Sequence, residues 1–141
     1  MITEFNVQLA MESERKKLDL AVVAQGVLNC LKDPWKGRYF IALAEEEVVG
    51  QLMITLEWSD WRNGWIWWIQ SVYVKPGWRK KGVFRGLFHK VEEEALLAGD
   101  VASLRLYVEQ HNYNAKEVYK KMGLLPAGYE VLDKPMDKGQ S

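Results

Sequence analysis

Between Trp65 and Val74 the chain alternates two sets of side chains that are both bulky. Trp65, Trp67, Ile69 and Tyr73 fall on one side, and Ile66, Trp68, Val72 and Val74 on the other. A strand that is apolar on both faces must be covered on both, which places it inside a layered α/β domain. The residues after it constrain the chain further. Val72-Tyr73-Val74 runs into Lys75-Pro76-Gly77-Trp78 and then Arg79-Lys80-Lys81-Gly82-Val83-Phe84-Arg85, where a helix opens. This stretch holds the cations Lys75, Arg79, Lys80, Lys81 and Arg85 and no acidic residue. The first turn of a helix also points unpaired N–H groups outward, with the positive end of the helix dipole behind them. Phosphate or pyrophosphate is the natural guest of such a turn.

Around this centre, strand and helix patterns alternate without linker, repeat or low-complexity tract. Ile2 to Leu9 reads as a first strand, and about Met11 to Leu31 as a helix stopped by Asp33-Pro34. Arg38 to Ala44 and Val48 to Trp58 read as a hairpin across a solvated Glu45-Glu46-Glu47 turn, and Ser59 to Gly64 as a second turn into the double-faced strand. Phe84, Leu87, Phe88, Val91, Ala95 and Ala98 give one apolar helix face, ended by Gly99-Asp100. Leu104 to Val108 predicts another strand, Ala115 to Met122 a short helix closed by Gly123, and Tyr129 to Leu132 a last strand completing the sheet.

Composition sets the outer limits. A chain of 141 residues, 48% hydrophobic, can bury one sizeable core, so a single domain over residues 1–141 is expected. Formal net charge is zero, which makes the basic turn a local feature and argues against a nucleic-acid partner. No apolar run approaches the roughly 20 residues of a membrane span, and the N-terminus lacks signal-peptide character, so no membrane association and a cytoplasmic location are expected. Cys30 cannot form an internal disulfide, and with His89 and His111 it offers no zinc spacing, so no metal is expected. Cys30 reads as a small buried hydrophobe and His89 as solvent-facing.

The common phosphate loops do not fit the turn, because neither Gly-x-x-x-x-Gly-Lys-Ser/Thr nor Gly-x-Gly-x-x-Gly occurs around Gly77, Gly82 and Gly86. What does occur is Val-x-Pro and Arg-x-x-Gly on a strand-to-helix turn, followed by Asn112-x-x-Ala115-x-x-x-Tyr119-x-x-x-Gly123. In order and spacing this resembles the GCN5-related N-acetyltransferase (GNAT) family along nearly the whole chain. The resemblance implies a mixed, mostly antiparallel central sheet flanked by helices. It also implies acetyl-coenzyme A as acyl donor and direct transfer of its acetyl group to a primary amine on a small molecule or peptide.

Carried over by position, the resemblance puts the pyrophosphate on the backbone amides of Arg79, Lys80, Lys81, Gly82, Val83, Phe84 and Arg85. The pantetheine arm would pair with Val72, Tyr73 and Val74 as an added strand, Asn112 would hydrogen-bond that arm, and Tyr119 would lie near the thioester sulfur as proton donor. As a phenol, Tyr119 suits that role; as an aromatic beside Ala115, Val118 and Met122, it also suits plain packing. Phe84 stands where the family has Gly or Ala, which requires its side chain to turn toward the core. The eighteen residues after Gly123 suffice for one strand where the family commonly has two, so the far wall of the acceptor site would be absent or supplied by another subunit.

The acceptor side is less constrained. Trp58, Trp61 and Trp65, with Glu57 and Asp60, could hold an ammonium through cation–π and charge contacts; the competing reading is core packing or a homodimer interface. Some family members carry a basic glutamate on the strand before the turn, but here Trp67-Trp68-Ile69-Gln70-Ser71 has no carboxylate. A base must be sought at Glu57, Asp60 or Glu109, or through water. Two further functions remain compatible with the sequence. One is an acyl-coenzyme A sensor without turnover, and the other is a small RNA-binding module that stacks bases on tryptophan, against which Asn112 and Tyr119 argue.

Overall fold

The computed structural model describes residues 1–136, in two compact units, Met1–Tyr107 and a second beginning at Val108. The first unit holds a four-stranded sheet in the order β1-β2-β3-β4, built from β1 (Arg38–Ala44), β2 (Glu47–Ser59), β3 (Gly64–Val74) and β4 (Val101–Leu106). β1, β2 and β3 pair antiparallel and β4 pairs parallel to β3, so the sheet is mixed and mostly antiparallel, as expected. A two-residue turn, Glu45 and Glu46 at φ 52 and 68°, joins β1 to β2. Both glutamates are exposed, as a solvated turn requires.

The N-terminal segment corrects the expected strand at Ile2 to Leu9, because it forms α1 (Ile2–Glu14). Phe5, Val7 and Leu9 alternate as in a strand, but Ile2, Phe5 and Leu9 also fall at helical spacing, and burial of Phe5 against Tyr73 of the sheet decides for the helix. The helix expected over Met11–Leu31 is likewise two elements. α1 ends at Arg15 in the left-handed conformation, φ 51°, and α2 (Leu20–Lys32) starts afresh on Asp19, whose carboxylate accepts from the Ala21 and Val22 amides at 3.0 and 3.3 Å.

Cross-strand partners share a sheet face, and this tells which helix covers what. Gln51, Met53 and Tyr73 face α1 and α2: Gln51 Nε2 donates to Asn6 Oδ1 at 3.1 Å, Cys30 Sγ lies 3.9 Å from Met53 Sδ, and the Phe5 and Tyr73 rings are 5.1 Å apart. Arg38, Ile54, Trp67 and Ile69 face α3 (Val83–Ala98), where Glu94 binds Arg38 at 3.1 Å. β3 is therefore covered on both faces, and Leu52, Ile54, Ile66 and Val91 are almost wholly buried.

Tyr73 is on the opposite face from that expected. Gln51 pairs with Tyr73 but Met53 with Gln70, so Leu52 stands across from both Ser71 and Val72, a bulge on β3. The extra residue reverses the alternation beyond it, turning Tyr73 toward α1 instead of α3. Two smaller corrections concern the later strands. β4 spans Val101–Leu106, not Leu104–Val108, because its pairing on β3 starts at Trp65. No strand forms at Tyr129 to Leu132: Tyr129, Val131 and Leu132 are all exposed, so neither alternating set finds a covered face. In the second unit, α4 (Tyr113–Lys121) is capped by Asn112, whose Oδ1 accepts from the Ala115 amide at 3.1 Å, and Gly123 follows at φ 90°. Among the described residues no helix is long and apolar enough to cross a membrane.

Phe5→Ala should cost about 3 kcal/mol of stability, the usual loss for truncating a buried phenylalanine. Chemical denaturation measures it; a loss under 1 kcal/mol would mean that α1 does not seal this face.

Candidate active site

The site is built on the way β3 ends. Its ladder with β4 stops at the pair Ile69 and Leu106, and beyond it the outer edge of β3 has no strand beside it among the described residues. The Lys75 amide donates inward to the Val49 carbonyl at 2.8 Å, so by antiparallel alternation Val74 directs its amide outward to that free edge, while its carbonyl on the same side accepts from Arg79 Nε at 2.8 Å. An extended ligand with alternating amides can add there as a strand.

The basic turn continues from this edge. Pro76–Trp78 make one 3₁₀ turn, and Lys80 and Gly82 then take left-handed φ values of 61° and 84° around Lys81. Lys80, as a non-glycine, gives up roughly 1–2 kcal/mol for this conformation, whereas Gly82 adopts it freely. The alternation curls the backbone into a concave row of amides that runs into α3. Gly82 is the N-cap and carries no side chain to cap the helix, so the first-turn amides at Val83, Phe84 and Arg85 face outward. Phe84 is half-buried with its ring 6.1 Å from that of Phe88. Gly50 on β2 lets this helix start approach, since a Cβ there would stand 2.8 Å from Val83 Cγ1.

The cations do not act alike. Arg79 is exposed but engaged by the protein: its Nε donates to the Val74 carbonyl at 2.8 Å, a terminal nitrogen binds Glu12 Oε1 at 2.6 Å, and its guanidinium lies 5.3 Å from the Tyr73 ring centre. Glu12 also accepts from the Tyr73 hydroxyl at 2.9 Å. Arg79 thus ties the turn to α1, a link of 67 residues in sequence that no local pattern announces. Lys75 pairs with Glu47 at 3.0 Å, and Lys81 sits 5.5 Å from the Trp78 ring centre. Lys80, Lys81 and Arg85 are exposed and Lys75 half-exposed around the amide row.

The acceptor candidates separate. Trp58 and Trp65 lie on the α3 face, edge to face at 5.0 Å, and Trp61 is 90% exposed in the turn with Asp60. Glu57 is on the opposite face, where it accepts from Trp68 Nε1 at 2.8 Å. Trp68 in turn stacks on Tyr107 at 4.5 Å with Arg105 over its ring, and Gln70 next along β3 donates to Thr55 Oγ1. The sequence pattern did not reveal this polar-aromatic band, because the tryptophans group by position in the hairpin and separate only by face. In the second unit, Glu109 holds the His111 amide at 2.8 Å, a bond that keeps its carboxyl below the usual range. Tyr119 is half-buried, and burial pushes its phenol above the ordinary value. His89 is exposed beside Glu92. Cys30 is buried against a cleft of about 350 Å³ between α2 and the sheet, and burial raises its thiol.

Comparison with known proteins agrees with this architecture. A profile described as the acetyltransferase (GNAT) family matches residues 5–124. A solved structure of a possible acetyltransferase from Clostridium difficile 630 is 40% identical, with a TM-score of 0.90 over 97% of this chain and 90% of that one. Thialysine N-epsilon-acetyltransferase of Bos taurus is 36% identical over 76 residues, 54% of this chain and 44% of that protein, so the match spans less than half of that relative. AAC(6')-Iy, solved with the bisubstrate analog CoA-S-monomethyl-acetylneamine, shares the fold at a TM-score of 0.73 and 17% identity, over 96% and 92% of the two chains.

The Glu12 carboxyl is held below its usual range chiefly by the Arg79 hydrogen bond. A depressed folded-state pKa stabilises above the unfolded value of 4.5 and is lost as pH falls through the folded one. Glu12→Gln should therefore be less stable than the parent at pH 7, with the gap closing below pH ~4.5. A gap that stays constant down to pH 3 in denaturation would show that the ion pair contributes nothing.

Proposed function

We propose that this chain, which belongs to the acetyltransferase (GNAT) family, moves an acetyl group from acetyl-coenzyme A to a primary amine by direct attack in a ternary complex. The observation that carries this reading is the free edge of β3 running directly into the amide row at Lys80–Arg85. The edge suits the amide-bearing pantetheine arm and the row suits the pyrophosphate, with Lys75, Lys80, Lys81 and Arg85 supplying charge. Arg79 contributes its backbone and keeps its side chain for Glu12. The coenzyme A analog bound by AAC(6')-Iy, on the same fold, supports this donor.

The reaction joins the amine nitrogen to the thioester carbonyl carbon and, from the tetrahedral intermediate, breaks the C–S bond. The ammonium must first lose a proton, and the departing thiolate takes one. We assign the donation to Tyr119, whose phenol, like any tyrosine's, is protonated at neutral pH. Gln70 stands where a basic carboxylate is absent, so the amine's proton leaves through water or through Glu57. The acceptor is assigned to the sheet face that carries Glu57, whose exposed carboxylate suits an ammonium-bearing molecule, with Trp68, stacked on Tyr107 and covered by Arg105, as its wall. Relatives named for thialysine and for an acetylneamine analog support a small amine. On this reading residues 1–141 work as one acetyltransferase domain.

Gln70 at that position also favours a second reading, an acyl-coenzyme A sensor without turnover. Release of free thiol from acetyl-coenzyme A, measured with a panel of amines, separates the two. Amine-dependent release is expected; thermal stabilisation by acetyl-coenzyme A without release would favour the sensor, and no response to it would refute both. Stabilisation should reach about 2.7 kcal/mol at 100 times the dissociation constant. Tyr119→Phe should lower turnover by roughly 100-fold with cofactor affinity kept, and unchanged turnover would remove Tyr119 from the mechanism.

A further inference from the structure

The free edge of β3 owes its course to the bulge at Ser71, and the bulge has a cost of its own. Ser71 is a non-glycine residue at φ 51°, and leaving the ladder frees its carbonyl in the protein interior. That carbonyl accepts from Gln51 Nε2 at 3.0 Å. The same nitrogen donates to Asn6 Oδ1 at 3.1 Å, and Asn6 is hydrogen-bonded to the Tyr39 hydroxyl. Gln51 is fully buried, and its Oε1 has no hydrogen-bond partner among the described residues. The amide cannot be reversed to relieve this, because both neighbours of Nε2 are acceptor oxygens. An apolar side chain at this core position would leave no orphaned oxygen. What it could not do is hold the Ser71 carbonyl.

We propose that Gln51 is a positioning residue for the cofactor edge: by fixing the Ser71 carbonyl it holds the bulge, and through the bulge the outward register of Val72–Val74. The consequence for acetyl-coenzyme A rests on the function proposed above, whereas the clamp itself does not. Without the clamp Ser71 relaxes toward extended backbone, and the edge samples registers in which the amide of Val74 no longer faces the ligand. Gln51 touches no reacting atom, so its loss appears in cofactor affinity and not in the chemical step.

Two variants and two readouts test this. In the ligand-free protein, Gln51→Met should raise hydrogen exchange about tenfold at the amides of Tyr73 and Lys75, which the ladder with β2 protects beyond the bulge; unchanged exchange overturns the clamp, whatever the cofactor. In calorimetric titration with acetyl-coenzyme A, Gln51→Met should bind about tenfold more weakly, with kcat at saturating cofactor within about threefold of the parent. Val91→Ala, a core change on α3, should leave the affinity unchanged, and an equal loss there would reduce the Gln51 effect to general destabilisation and overturn the proposal. Gln51→Glu supplies a pH signature. A buried carboxyl facing two acceptor oxygens has a raised pKa, and its neutral form donates one hydrogen bond. Binding should be weak at pH 8 and recover to within about threefold of the parent near pH 6; weak binding at both values contradicts the clamp. A parent protein that itself fails to bind acetyl-coenzyme A refutes the cofactor reading, while the exchange result still decides the clamp.

Discussion

The bulge at Ser71 is the constraint on which the rest of this structure depends. Up to Ile69, β3 is an ordinary central strand, paired on both sides and covered by helices on both faces. One extra residue changes that. Tyr73 moves to the face of α1, where it meets Phe5, Glu12 and Arg79, and the strand continues past the end of β4 with one edge free. Besides the outer sides of β1 and β4, the sheet thus has near its centre a length of backbone able to pair with something other than protein. Strand edges are ordinarily hazards that invite aggregation. Here the edge is short and ends within a few residues in a turn of lysines and arginines.

The turn is an economy of backbone more than of side chains. The groups proposed to bind the anion are amides aimed by two left-handed residues and by a helix start that carries no capping side chain. Arg79, the most obvious phosphate ligand by sequence, is occupied instead in fastening the turn to α1 through Glu12 and to β3 through the Val74 carbonyl. Because that pair is partly exposed, its Coulombic strength is modest; its value is geometric, since it fixes where the amide row begins. Gly50 makes the complementary contribution from the other face by leaving room for Val83.

Much of this was legible in the chain. The double-faced pattern at Trp65–Val74 and the apolar stripe of α3 identified the centre of the fold, and the basic turn marked the proposed phosphate seat, because each is a local signal of burial period or charge. Gly50 carried a signal as well, a lone glycine inside an apolar strand, which indicates close backbone approach. What could not be read is non-local. Ile2 to Leu9 was ambiguous in period and became a helix when Phe5 found Tyr73. The bulge is one residue in a run of apolar side chains, and it alone decided the face of Tyr73. Glu12 and Gln51 look like ordinary polar positions until the chain is folded. The acceptor set misled for a related reason: proximity in the hairpin grouped Glu57 with Trp58 and Trp65, while alternation put those two tryptophans on one face and Glu57, with Trp68, on the other.

The central claim is that coenzyme A lies on the edge of β3 and on the amides that open α3. Titrating isotopically labelled protein with coenzyme A and tracking backbone amide shifts measures this directly. The account predicts that the largest perturbations fall at Val74 and at Val83, Phe84 and Arg85, with those three unaffected by pantetheine, which lacks the pyrophosphate. Saturable binding that perturbs other amides and leaves these four unchanged would contradict it.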